Sequence, residues 1–254
     1  MSADCPASRK TVPGTASARK VVQLLLSFSE RRPRMSVAEL SAELNITQAT
    51  TYRYVALLKS LGTVEEGPDS SYQLTAKVLP MARAAQVVNS EARLARPVME
   101  EMSHRLGETV MLLAAAGDLA VCVDRVESAR PMRFTFEPGH SLPLGRGASG
   151  KLLLALLPPA DRMRLLNTWS GEERTALAFE LETIAEQTYA ESFGEVDEGL
   201  WACSVPVRTF RPQLVLSVAG PESRIPPDDR SAIVASMKAG AGTIRDALEE
   251  FAMH

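Results

Sequence analysis

The chain has 254 residues, a formal net charge of −3 and 45% hydrophobic residues, enough for two modest domains with cores of their own. No apolar run is long enough to span a bilayer, and the polar, small-residue-rich residues 1–15 lack the apolar core of a signal peptide and read as a disordered tail. Cys5, Cys122 and Cys203 are far apart and odd in number, which argues against a disulfide framework or metal site and for reduced thiols in a cytoplasm.

Val21, Val22, Leu24, Leu25, Leu26 and Phe28 predict a leading helix with a broad apolar face. Ser36 and Glu39 then form a capping-box pattern ahead of the stripe Val37, Leu40 and Leu44. Asn45 suits a left-handed turn, and Thr47 caps a second helix, which buries Val55, Leu58 and Leu61 and stops at Gly62. This is a helix-turn-helix. Its first turns carry Gln48, Ala49, Thr50, Thr51, Tyr52 and Arg53, residue types that read base edges or clamp phosphates from the major groove. Such helix pairs also occur in plain bundles. Here, two short strands at Thr63–Glu66 and Tyr72–Leu74 flank a Gly-Pro-Asp-Ser-Ser turn, and a helix-turn-helix followed by a small hairpin is a winged helix. Residues 1–77 hold ten Lys/Arg against seven Asp/Glu, and the remainder eighteen against twenty-four, a balance that suits docking one end on a polyanion. Arg31, Arg32 and Arg34 sit where they could touch phosphate, and a solvated loop is an equally simple account.

Residues 76–90 read as a linker helix with Pro80 in its first turn, and Glu91–Leu106 as a second helix. From Glu108 onward, strands are expected at Glu108–Ala116 and Leu119–Val126 around a Gly-Asp turn, at Met132–Phe136, and at Leu200–Arg208 and Gln213–Ala219. Helices are expected at Ala148–Leu157, Asp161–Trp169, Glu180–Phe193 and Asp228–Met253. The pattern is α+β: a winged helix over residues 16–75, the linker over 76–90, and an antiparallel sheet with flanking helices over 91–254.

Pro143–Leu152, PLGRGASGKL, matches G-x-G-x-x-G and most of a phosphate-binding loop. Context opposes that reading: Leu152 replaces the hydroxyl that holds magnesium, and a proline-broken loop stands where a buried strand is required. What survives is a Gly-rich turn opening a helix, whose free amides suit a carboxylate. A bare loop-to-helix junction fits the composition equally well. No histidine lies near the Glu195, Asp197 and Glu198 cluster, and no constellation demands catalysis, a metal or a cofactor.

Several ordered motifs resemble those of the isocitrate-lyase-regulator (IclR) type of bacterial transcription regulator, over roughly residues 16–250. They are SARKVVQLLLSF, NITQATTYRYVALLKSLGTV, SYQLT, LPLGRGASGKLLLA, FGEVDEGLWACSVPV and LVLSVAGPESRI. The resemblance implies a winged helix joined to a GAF-like effector domain, dimers or tetramers, a double-stranded DNA operator, and a small organic or aromatic acid as effector. In the reading helix Thr50 and Arg53 match the family pattern; Gln48 and Ala49 depart from it. Gly147 and Ala148 match the family's ligand-facing loop, with Ser149 able to donate beside them, and Ser217 matches a ligand-bonding serine. Ala219 replaces a second serine, and the family cysteine falls at Ala202, one place before Cys203. Met132, Phe134, Leu144 and Trp201 complete the expected pocket. The expected function is a cytoplasmic, ligand-responsive regulator, a repressor rather than an enzyme. The alternative is a metabolite-binding enzyme or sensor without a specific DNA target.

Overall fold

The computed structural model describes residues 14–29, 32–87, 90–207 and 213–253. The tail expected over residues 1–15 falls almost wholly outside them, as do Arg31, part of the expected linker and Arg208. Contacts divide the chain after Val88 into two compact units.

In the first unit, α1 (Ala16–Leu26) buries Leu24 beside Phe28, while Val22 and Leu26 are exposed, so its apolar face is narrower than the sequence suggests. A short strand, β1 (Arg34–Ser36), leads into α2 (Val37–Leu44). Ser36 Oγ accepts from the Glu39 amide while the Glu39 carboxylate accepts from the Ser36 amide, closing the capping box. Val37, Leu40 and Leu44 are buried, and Asn45 ends the helix at φ 50°. Thr47 caps α3 (Gln48–Ser60), which buries Thr51, Val55 and Leu58. Leu61, expected inside, is exposed: it caps the helix with helical backbone angles, its amide still donating to the Leu57 carbonyl, and the chain turns away at Gly62, φ 70°. Then follow β2 (Val64–Glu66) and β3 (Ser71–Leu74), antiparallel to each other. β1 adds a third strand to this wing sheet, which the three-residue segment was too short to announce. α4 (Leu79–Val87) follows, with Pro80 in its first turn.

The second unit opens with α5 (Ser90–Leu106), continues through β4 (Thr109–Ala116) and β5 (Leu119–Val126), and turns between these strands at Gly117 with φ 69°. The third strand expected at Met132–Phe136 is irregular chain. The carbonyls of Phe134 and Phe136 accept from Thr109 Oγ1 and Cys122 Sγ instead of a ladder. The strand that does pair with β5 is β6 (Ser141–Pro143). α6 (Gly147–Leu156), α7 (Pro159–Leu166) and α8 (Gly171–Gln187) follow. The helix expected over Glu180–Phe193 starts earlier and stops at Thr188, whose φ is 61°. Ala190–Phe193 forms β7, an edge strand that helix-forming composition conceals. β8 (Leu200–Val207), β9 (Leu214–Pro221) and α9 (Pro227–Ala252) complete the unit.

Among the described residues the large sheet has the order β6-β5-β4-β9-β8-β7, with every neighbouring pair antiparallel. Alternation along the strands splits the core in two. On one face Val110, Leu112, Trp201, Cys203, Val205 and Leu216 pack with α5 and α9. On the other, Met111, Leu113, Ala120, Cys122, Val215 and Ala219 pack with α6 and α8.

Candidate functional site

The capped entry to α3 presents Gln48, Ala49, Tyr52 and Arg53 to solvent, with Thr50 half-buried. Thr51 departs from expectation. It is 0% exposed, and its hydroxyl donates to the Thr47 carbonyl at 3.1 Å, so it belongs to the core and cannot reach a base. Arg53 makes no ion pair among the described residues. By contrast, Arg32 is paired with Glu43 at 2.9 Å, Arg34 Nε donates to Gln73, and Lys59 pairs with Glu66. The uncommitted cation on this helix is therefore exposed, as are Gln48, Ala49 and Tyr52 in the same first turns, the residues from which a groove-reading helix makes its contacts.

In the second unit, strand parity decides which expected effector residues meet. Ser217 on β9 is the register partner of Ser204 on β8. Both point toward α6, and Ser149 reaches them from the helix. The three Oγ atoms lie 2.6 Å (Ser204–Ser217), 2.8 Å (Ser149–Ser217) and 3.1 Å (Ser149–Ser204) apart. Gly147, Ala148, Leu144 and Phe134 lie on this same side. Trp201 and Cys203, expected in the pocket, do not. Each is an odd number of residues from Ser204 and therefore faces α5 and α9, where Trp201 Nε1 donates to Glu191 at 2.9 Å. The Met132 side chain is exposed, and its carbonyl accepts from Arg224 at 2.9 Å. Ser204 escaped the sequence reading. The signal that would have found it was its same-face spacing, two residues beyond Ala202.

The start of α6 is occupied from within. Gly147, at φ 62°, donates its amide to Glu195 Oε2 at 3.0 Å, and Val196 packs so close that a Cβ at Gly147 would meet it at 2.9 Å. Lys151, the residue that completes the phosphate-loop pattern, is buried and bonded to Glu180 and Glu195. The segment 194–199 thus closes the helix start, and Lys151 answers carboxylates of its own chain. Burial pushes the Cys122 thiol up to about 12 and raises that of Cys203 as well, so both are inert small hydrophobes.

A winged helix followed by a separate α+β unit with a buried polar cluster defines a class of ligand-responsive DNA-binding regulators. Family comparison gives the particular group. Residues 17–68 match the IclR helix-turn-helix domain, and residues 86–246 match the bacterial transcriptional regulator IclR C-terminal domain. The chain belongs to the IclR family of transcriptional regulators, with a DNA-binding domain and an effector-binding domain. It is 30% identical over 249 residues to the HTH-type transcriptional regulator KdgR of Dickeya chrysanthemi, covering 93% of this chain and 81% of that one. Its fold is similar to that of an IclR family regulator from Brucella abortus, with a TM-score of 0.82, 21% identity and 94% of each chain covered. It also resembles an IclR homologue from Microbacterium hydrocarbonoxydans complexed with 4-hydroxybenzoate, with a TM-score of 0.65, 19% identity, and 92% of this chain and all of that one covered.

Proposed function

We propose that this regulator is a cytoplasmic repressor, active as a homodimer or homotetramer, that releases its operator on binding a small organic or aromatic acid. Residues 16–75 read DNA, 76–90 form the linker, and 91–254 hold the effector on the α6 face of the sheet. The observation that carries the DNA half is the exposed face of α3, with Arg53 left without an ion pair among the described residues. The aromatic preference is supported by Ala202, Ala219, Leu144 and Phe134 beside the serines, and by the relative complexed with 4-hydroxybenzoate. Catalysis has no part in this reading, since the effector need only bind the DNA-competent and incompetent states unequally.

The test is a gel-shift series on the promoter fragment. Arg53→Ala should weaken binding on the order of tenfold or more and flatten the salt dependence by about one counterion for each bound reading helix. Undiminished affinity would refute the assignment of α3 as the reading helix.

A further inference from the structure

The α6 face of β8 and β9 is lined by two register pairs, Ala202 with Ala219 and Ser204 with Ser217. Small side chains let a helix approach a sheet closely, and alanine at the first pair already achieves that. The second pair, with Ser149 above it, places three hydroxyls in a layer that is otherwise apolar. Each hydroxyl costs free energy to dehydrate and is repaid only by a partner. Either oxygen of each pair can be the donor, so the three can satisfy one another as a closed ring in which each donates once and accepts once. Ser204 and Ser217 are each 0% exposed, and among the described residues no charged group bonds to the ring.

We propose that Ser204 is a specificity-determining residue: with Ser149 and Ser217 it receives an uncharged hydroxyl of the effector, which inserts into the ring. This rests on the reading of the α6 face as the effector face. A ligand hydroxyl also donates once and accepts once, so it enlarges the ring from three members to four and leaves no donor unpaired. A carboxylate only accepts, and it would bring a charge into a layer where Lys151, the cation two residues along α6, already answers both Glu180 and Glu195. The buried end of the effector is therefore a neutral hydroxyl, such as that of a phenol or alcohol, and any carboxylate it carries stays outside the ring.

Phenol, toluene and benzoate separate the possibilities, titrated by calorimetry into the full-length chain. The wild type should bind phenol at least about tenfold more tightly than either of the others, the scale of one buried hydrogen bond. Ser204→Ala should abolish most of that preference over toluene, and Ser204→Cys, close in size and a poor donor, should do the same. A hydroxyl serving only to pack the helix would shift the melting temperature without changing the phenol-to-toluene ratio. Absent phenol binding, a preference for benzoate or toluene, or an unchanged ratio in both variants overturns the proposal. If Ser217→Ala alone removes the preference, the α6 face stands and Ser204 falls. If none of the substitutions alters phenol binding, the effector face itself is misplaced.

Discussion

Lys151 offers a quantitative test of how the effector unit tolerates charge. Its side chain is 3% exposed, whereas those of its partners, Glu180 and Glu195, are 44% and 35% exposed. The two sides of this cluster therefore differ in what removal leaves behind. Lys151→Met replaces the buried cation by an apolar chain of similar length and abandons two carboxylates that water already reaches. The loss should be about 1–2 kcal/mol, discounted for their solvation. Glu180→Gln with Glu195→Gln leaves the ammonium buried with only neutral acceptors and should cost about 3 kcal/mol or more. With a urea slope of about 2 kcal/mol/M for a unit of this size, the midpoint falls by about 0.5–1 M in the first case and about 1.5 M in the second. Both tryptophans of the chain, Trp169 and Trp201, lie in the second unit. Tryptophan fluorescence in urea at neutral pH thus follows that unit alone. A larger loss in Lys151→Met than in the double variant would refute the reasoning that burial of the cation dominates.

Two further outcomes follow from the local chemistry. Hydrogen bonds from the Ser36 side chain and then its amide hold the Glu39 carboxyl below its usual range. The capping contribution is accordingly present in full above the ordinary carboxylate pKa and lost as pH falls through the lowered folded value. The melting-temperature gap between wild type and Glu39→Gln, followed by circular dichroism, should be widest at neutral pH and close on acidification; a gap that widens in acid contradicts the sign of the shift. For the thiols, native protein treated with iodoacetamide in mildly alkaline buffer, well below the Cys122 value, should leave Cys122 and Cys203 unlabelled by mass spectrometry, with both labelled in urea. Rapid native labelling of Cys122 would contradict its burial.

The helix-turn-helix was legible because its signals are local. The Ser36 and Glu39 box, the left-handed Asn45 and the Thr47 cap each act within one turn of helix, so their spacing alone determines the outcome. Expectation failed where non-local pairing decides. Ala190–Phe193 is a strand only because β8 lies beside it, and Met132–Phe136 fails to be one because Thr109 and Cys122 take its carbonyls. Thr51 has the composition of a DNA contact, yet it stands four residues before Val55, about one helical turn, and so shares that residue's buried face.

The α6 face of the sheet was half legible for a related reason. Sequence names residues in a row, whereas a strand shows them alternately to two different layers. Ser217 fixes the parity of β9, and the register carries that parity to β8, where Ser204 is selected and Trp201 and Cys203 are excluded together. The Gly-rich start of α6 suggested an open seat for an anion, but Glu195 reaches it from a segment forty-eight residues away, a closure that no local pattern encodes. An acidic effector approaching this face therefore meets a helix start and a lysine that are both already satisfied by carboxylates. On the reading proposed above, selectivity would come from what else the ligand offers, with the buried hydroxyls as the groups that read it.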